Sequence, residues 1–201
     1  MKLYIKPGAC SLSPHIVMLE AGLRAEIVEV DLATKKTKDG GDYRAVNPKG
    51  SVPALVLDDG QVVTEGAVIV QYLADQAPAS KLAPAAGTIE RYRLQEWLNY
   101  IGTEVHKTFS PLFNPACPEE WKRVVRETLL PARFDLVSQS LAGKDWLMGA
   151  TFTVADAYLF TVLGWAPRVG IALDRWPALT AYRARVAARP AVQAALKAEG
   201  L

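Results

Sequence analysis

Two cysteines are present, and one of them stands where a thiol is chemically useful. Cys10 follows Pro7, Gly8 and Ala9, directly after a predicted strand and at the start of a predicted helix. The positive end of a helix dipole lowers the pKa of a thiol and raises its thiolate fraction. Free cysteine is also among the most buried residue types, so the position alone leaves both interpretations open. The second thiol, Cys117, is interpreted as incidental.

Polar residues recur at helical spacing in a long predicted helix. The spacings of four, three and four residues place them on one face: Asn99, Thr103, His106 and Ser110. Such a stripe is usually a solvated helix face. It could instead line a cleft, where His106, which titrates near neutral pH, and Lys107 would stabilise a thiolate or an anionic leaving group. His15, inside the first predicted helix, is interpreted as structural.

Two short segments offer a binding surface. Pro53 follows Ser51 and Val52 before a predicted strand, so it implies either an edge position or a cis bond. Glu65 and Gly66 begin a predicted helix, whose first backbone N–H groups form an anion site. Glu65 itself could accept a hydrogen bond from an ammonium. With a thiol nearby, these groups suit a ligand that carries an amine, carboxylates and sulfur.

The first third of the chain predicts the elements that must position these groups. Strand-like runs alternate with helical patterns in the order βαβ, a connecting segment with a short helix near Tyr43, and ββα. The predicted strands are 2–6, 26–30, 54–57 and 61–64, and the predicted helices are 11–23 and 65–76. This order indicates a small α/β unit with a parallel crossover.

Only helices are predicted beyond a segment rich in Ala, Pro, Ser and Gly at 77–87. Their expected bounds are 89–113, 119–141, 153–165, 177–187 and 191–198. Pro131 should interrupt the second of them. The third is apolar on nearly every side and is therefore predicted to be a buried central helix. Thr153 and Asp156 stand at the spacing of a capping box at its start.

Composition and charge exclude several classes of protein. Half of the residues are apolar and 22% are charged, as in an ordinary folded chain. The net charge is +2 with Lys and Arg spread along the chain, so no nucleic-acid footprint stands out. No run approaches the ~20 apolar residues of a membrane span, and no signal peptide is recognised. Two thiols in such a chain indicate the cytoplasm, and the His and Cys residues are too scattered for a metal site.

Several segments together resemble bacterial beta-class glutathione transferases over essentially all 201 residues. They are MKLYIKPGACSLSPH, NPKGSVPAL, VTEGAVIVQYL, NYIGTEVHK and TFTVADAYLF. The resemblance implies an α/β thioredoxin-like domain at 1–78, a linker at 79–88 and an all-α bundle at 89–201 that contributes the electrophile site. It also implies a homodimer, with glutathione as co-substrate and a small hydrophobic electrophile as the second substrate. Neither a metal, a membrane nor a nucleic acid is expected as partner, for the reasons of composition and spacing given above.

The same resemblance implies roles for individual residues of the first domain. Cys10 would lie beside the glutathione sulfur and form a mixed disulfide with it. Val52 would pair through its backbone with the cysteinyl part, with Pro53 in cis. The γ-glutamyl end would be held by Glu65 and the N–H of Gly66. Lys35 would contact the glycyl carboxylate.

On the helical side, the resemblance implies a further set of ligand contacts: Asn99, Thr103, His106 and Lys107. Glu104 would be offered from the partner subunit. Two positions depart from the family pattern, because Ile5 stands where tyrosine is frequent and Gly66 where serine is common. The first removes a hydroxyl near the sulfur, and the second removes a hydroxyl but keeps the backbone donor.

The expected reaction is therefore glutathione-dependent thiol chemistry. Conjugation needs a stabilised glutathione thiolate, whereas disulfide exchange needs a Cys10 thiolate. The sequence does not rank these two, and reductive dehalogenation of a chlorinated aromatic compound is a narrower possibility. A non-catalytic scaffold of the same fold is the rival interpretation, because fold does not dictate function. The set formed by Cys10, Glu65 and His106 argues against it.

Overall fold

The computed structural model describes residues 1–201 and divides into two compact units. Unit 1 comprises Met1–Ala83 and Ala188–Leu201, and unit 2 comprises Pro84–Ala187. The sequence predicted one helical domain that continues to residue 201. The last helix instead belongs to unit 1, because it packs against the first helix of the chain.

Unit 1 contains a five-stranded sheet in the order β3-β2-β1-β4-β5. The strands are β1 Lys2–Ile5, β2 Glu26–Asp31, β3 Lys36–Thr37, β4 Ala54–Val56 and β5 Val62–Thr64. The pair β1 and β2 is parallel, and the other neighbours are antiparallel. The predicted βαβ and ββα order is therefore confirmed. The strand β3 was not predicted, since two residues are too short to display an alternating pattern.

Three α-helices pack in unit 1: α1 Leu12–Glu20, α2 Gly66–Gln76 and α9 Pro190–Glu199. The short helix predicted near Tyr43 is a 3-10 turn at Tyr43–Ala45. Neither Ser11 nor Ser13 caps α1, because neither side chain bonds to the N–H groups of its first turn. Ser11 Oγ bonds instead to the backbone N–H and carbonyl of Lys6, and Ser13 Oγ donates to the Cys10 carbonyl. These bonds fix the loop that carries Cys10.

The two long helices of unit 2 each contain a π-helical segment. The first runs from α3 Ile89–Tyr100 through a π segment Ile101–His106 into α4 Lys107–Phe113. The second runs from α5 Glu119–Val124 through a π segment Val125–Leu129 into α6 Leu130–Ser140. Each segment precedes a proline of the same helix, Pro111 or Pro131. Proline supplies no N–H and crowds the preceding turn, and a widened turn accommodates it. The predicted break at Pro131 is thus a change of pitch.

The central helix of unit 2 is α7 Val154–Leu163, and all of its residues are buried as predicted. The predicted capping box is confirmed: the Thr153 N–H donates to Asp156 Oδ2 at 2.8 Å, and the Thr153 side chain accepts from the backbone of the first turn. Tyr182, on α8 Pro177–Ala187, donates its hydroxyl to the other carboxylate oxygen at 3.0 Å. Although α7 is strongly apolar, neither it nor any other helix is long enough and apolar enough to span a membrane.

Candidate active site

Cys10 lies in the loop between β1 and α1, and its thiol faces the segment before β4. Its Sγ donates a hydrogen bond to the Val52 carbonyl at 3.2 Å. Burial raises the pKa of the Cys10 thiol to about 11, which outweighs the lowering by the backbone N–H groups of Cys10 and Ser11. The thiol is therefore protonated at neutral pH. Of the two interpretations that the sequence left open for Cys10, the buried thiol is the one observed, because desolvation exceeds the effect of the helix start.

The loop at 51–53 is held by two buried side chains. Tyr43 donates its hydroxyl to the Ser51 carbonyl at 2.8 Å, and Asn47 donates its amide to the same oxygen at 2.7 Å. The bond between Val52 and Pro53 is cis. This outcome agrees with the expectation drawn from the resemblance, and the sequence pattern alone had left it open. In the loop that these bonds hold, the Val52 carbonyl accepts the hydrogen bond from the Cys10 thiol.

Glu65 stands at the start of α2 in a left-handed conformation, with φ of 69° and ψ of 117°. A non-glycine residue held there is strained, and such residues cluster at binding sites. Its carboxylate pairs with an ammonium, as its type suggested, but the donor is Lys49 at 2.6 Å. Lys49 also donates to the Thr64 hydroxyl at 3.0 Å. The next residue, Gly66, contributes the first N–H of the helix.

Lys35 approaches the same loop from its other end. Its Nζ donates to the Gly50 carbonyl at 2.8 Å. A Cβ on Gly50 would lie 3.4 Å from the Lys35 side chain and 3.6 Å from Arg44 Nε, so two cationic side chains flank this glycine. The loop at 49–53 thus bonds to three of the unit 1 residues expected to bind a ligand: Cys10, Lys35 and Glu65. A Cβ on Gly66 would lie 3.7 Å from Pro53 Cγ in the same loop.

In unit 2, His106 packs into an aromatic cluster. Its Nδ1 lies 2.7 Å from the Tyr158 hydroxyl oxygen, and its ring meets the Trp165 ring edge to face with centroids 4.8 Å apart. Burial, with a smaller contribution from the charge of Lys107, lowers the pKa of His106 to about 4. The imidazole is neutral at pH 7. The expectation that His106 titrates near neutral pH is therefore wrong, whereas its hydrogen-bonding capacity remains.

The predicted polar stripe holds only in part. Asn99, Thr103 and Ser110 are exposed, whereas His106 is half-buried against Tyr158. The π segment contributes to this difference, since its turn is wider than the spacing argument assumed. Thr103 donates its hydroxyl to the Asn99 carbonyl at 3.0 Å, within the helix itself.

Glu104, which the resemblance assigned to a partner's site, has a partner within its own chain. Its carboxylate accepts from Arg133 Nη2 at 2.9 Å. The Arg133 Nε atom is buried and has no hydrogen-bond acceptor. Arg133, on α6, therefore orients the Glu104 carboxylate within the single chain.

Comparison with known proteins supplies the family. Residues 8–76 match the model described as the glutathione S-transferase N-terminal domain, and residues 100–190 match the corresponding C-terminal domain. The sequence is 52% identical to the glutathione S-transferase GstA of Escherichia coli O157:H7 over the full length of both chains. The chain belongs to the glutathione S-transferase family. The fold of this transferase also matches solved structures over complete chains.

Two solved structures extend the comparison. A sphingomonad glutathione S-transferase complexed with glutathione is 52% identical, with a TM-score of 0.97 and complete coverage of both chains. A beta-class glutathione S-transferase of Sphingomonas chungbukensis is 49% identical, again with a TM-score of 0.97 and complete coverage. The predicted beta-class resemblance and the thioredoxin-like and helical fold of the transferase are confirmed.

Sequence reasoning missed several residues around the transferase's candidate site. Lys49 lies inside the NPKGSVPAL segment, and its position before a glycine turn was an available signal. Tyr158 lies in the central helix, where the apolar pattern concealed its contact with His106. Tyr43 and Asn47 hold the loop at 51–53 by hydrogen bonds to its backbone, and local spacing in the sequence does not predict such bonds.

Proposed function

We propose that this transferase binds glutathione against unit 1 and that Cys10 exchanges thiols with the bound sulfur. The observation that carries the proposal is the loop at 49–53. One short segment contacts a thiol, a strained carboxylate at a helix start and a lysine, as described above. Glutathione carries sulfur, an ammonium and two carboxylates, so it offers a matching group to each.

The ligand contacts follow from these groups. The Val52 backbone, adjoining cis Pro53, would pair with the cysteinyl part of glutathione and place its sulfur at Cys10. Glu65 and the N–H of Gly66 would hold the γ-glutamyl ammonium and carboxylate. Lys35 would hold the glycyl carboxylate. The ammonium of Lys49 already pairs with Glu65, which supports the ability of that carboxylate to receive a cation.

In thiol exchange, a Cys10 thiolate attacks one sulfur of oxidised glutathione. The bond between the two glutathione sulfurs breaks, a bond between Cys10 and one of them forms, and the released glutathione thiolate takes up a proton. No further oxidant is needed, since the disulfide supplies the oxidising equivalents.

Conjugation is a second candidate, and the raised pKa of Cys10 favours it. A thiol that stays protonated can donate a hydrogen bond to a glutathione thiolate and stabilise that thiolate as the nucleophile. In unit 2 the exposed ring of Phe113 packs on the buried rings of Phe109 and Trp165, and Phe113 would offer an apolar surface to a hydrophobic electrophile. Release of halide from chlorinated aromatic compounds would extend the same chemistry.

The helical side of the ligand site is proposed from the resemblance: Asn99, Thr103, His106 and Lys107. We place Glu104 toward glutathione of the partner subunit in a homodimer. The exposed side chains of Asn99, Thr103 and Lys107 support this assignment. Two free cysteines and the absence of a disulfide are consistent with a cytoplasmic protein.

The test is intact mass spectrometry of the reduced protein after exposure to oxidised glutathione. Wild type and Cys117→Ser should each gain one glutathione, and Cys10→Ser should gain none. The Cys117→Ser variant is the matched control, because it removes the other half-buried thiol. A gain in Cys10→Ser, or none in wild type, would refute the exchange. Calorimetry with reduced glutathione separates the remaining cases, since absent binding at millimolar concentration would indicate a scaffold.

A further inference from the structure

One ring nitrogen of His106 is anchored and the other is available. Nδ1 lies 2.7 Å from the Tyr158 hydroxyl oxygen. Nε2 has no hydrogen-bond partner in the protein, and it is not among the fully buried unsatisfied atoms. A neutral imidazole has one donor and one acceptor nitrogen, so the bond at Nδ1 decides which role Nε2 takes.

The orientation of the ring is fixed by packing. Tyr158 is only 5% exposed and lies on α7, where every residue is buried. Its hydroxyl oxygen lies 3.6 Å from the point that a Cβ on Gly102 would occupy, so it is bounded by the π segment that carries His106. Trp165 meets the imidazole edge to face. A flipped ring would present carbon instead of Nδ1 to the hydroxyl and lose the hydrogen bond.

We infer that Tyr158 is a positioning residue that donates its hydroxyl hydrogen to Nδ1 of His106 and thereby places the imidazole hydrogen on Nε2. A phenol is a better donor than acceptor, because its oxygen lone pairs are delocalised into the ring. His106 then presents an N–H donor to its ligand. This second step rests on the proposed function, in which the recipient is the glutathione sulfur or a departing anionic group.

The inference differs from a general-acid role for His106. The low pKa of this side chain makes the ring neutral at pH 7, so it has no spare proton to release. A fixed Nε2–H donor stabilises developing negative charge without transferring its hydrogen. Tyr158 would contribute through its hydrogen bond to Nδ1, and loss of its hydroxyl would leave the tautomer of His106 undetermined.

Nitrogen NMR of the full-length protein labelled with ¹⁵N-histidine reads the tautomer directly. The chain has 2 histidines, and the signals of His106 are identified by their loss in His106→Gln. At neutral pH, wild type should show a protonated Nε2 and an unprotonated Nδ1. Tyr158→Phe should give mixed tautomers. A hydrogen on Nδ1 in wild type would overturn the inference, and that spectrum requires no variant to fold.

Steady-state kinetics with glutathione and 1-chloro-2,4-dinitrobenzene provide the second readout. Tyr158→Phe should lower kcat by about 3- to 10-fold, the equivalent of one oriented hydrogen bond, with little change in KM for glutathione. Tyr182→Phe is the control, because it also removes a buried hydroxyl that bonds near α7 but does not contact His106. Equal losses in both variants, or an effect on KM alone, would overturn the inference.

Failure of the proposed function gives a different pattern. Wild type would then neither bind glutathione in calorimetry nor turn over the electrophile. The tautomer of His106 would still be measurable by NMR in that case. The role of Tyr158 as hydrogen-bond donor is therefore tested independently of the identity of the ligand.

Discussion

The two residues nearest to the proposed chemistry are governed by burial more than by neighbouring charge. Desolvation disfavours the charged form of each, which raises the pKa of the Cys10 thiol and lowers the pKa of the His106 imidazole. Both side chains are consequently neutral at pH 7. A neutral thiol and a neutral imidazole can each donate a hydrogen bond to a sulfur anion. The sequence named both side chains as candidates, but it did not determine the protonation state of either.

The first prediction concerns the pH dependence of Cys10. Since a folded-state pKa of about 11 leaves little thiolate at pH 7, the rate of disulfide formation should rise about tenfold per pH unit between pH 7 and pH 10. The measurement is mass spectrometry of Cys117→Ser reacted with the small neutral disulfide of 2-mercaptoethanol. A rate that levels off near the ordinary thiol pKa of 9.0 would contradict the raised pKa of Cys10.

The elements of the fold follow largely from periodicity. Leu98 and Val105 are apolar and seven residues apart in the first long helix, which puts them on one face at uniform pitch, and both are fully buried or nearly so. Leu112 continues the same seven-residue spacing, but Phe109 is the buried residue at the end of the helix, because the preceding π segment rotates the helix face. A spacing argument assumes uniform pitch, so it identifies the helix correctly and misplaces the side chains beyond the widened turn.

The start of α2 gives the second prediction. A Cβ on Gly66 would lie 3.7 Å from Pro53 Cγ, an ordinary contact, so Gly66→Ser should fold normally. Its hydroxyl would add one donor to the N–H groups that we assign to the γ-glutamyl carboxylate. We expect glutathione to bind about 2- to 10-fold more tightly, as for one added hydrogen bond.

Calorimetric titration with reduced glutathione measures this change. Gly66→Ala is the matched control, since it adds the same Cβ without the hydroxyl and should leave the affinity unchanged. Equal tightening in both variants would assign the effect to helix stability. Weaker binding in Gly66→Ser would show that the ligand approaches α2 more closely than a hydroxyl permits.

At the scale of the whole molecule, the last helix, α9, packs against the first helix, α1. Glu199, on the last turn of α9, has a fully buried side chain that accepts from the Gly8 N–H at 2.9 Å. Its other carboxylate oxygen lies 2.9 Å from Nδ1 of His15, which confirms the structural role predicted for that histidine. At the opposite end of α9, Arg189 pairs with Glu20 on α1. Partners so distant in sequence leave no periodic signal, so this arrangement was not predictable.

The position of Gly8, two residues before Cys10, gives the third prediction. Glu199→Leu would remove the carboxylate that accepts from the Gly8 N–H and bonds to His15 Nδ1, at a cost of about 2 to 4 kcal/mol in the free energy of unfolding. The loosened loop should expose the thiol, so reaction of Cys10 with the small neutral disulfide should accelerate.

Arg189→Met is the control, because it breaks the partly exposed pair with Glu20 and should cost about 1 kcal/mol or less without accelerating the reaction. Urea unfolding measures the free-energy cost of each variant, and mass spectrometry measures the rate at which Cys10 reacts. If both variants accelerated the thiol equally, docking of α9 as a whole would control the loop, and the specific bond from Gly8 to Glu199 would not.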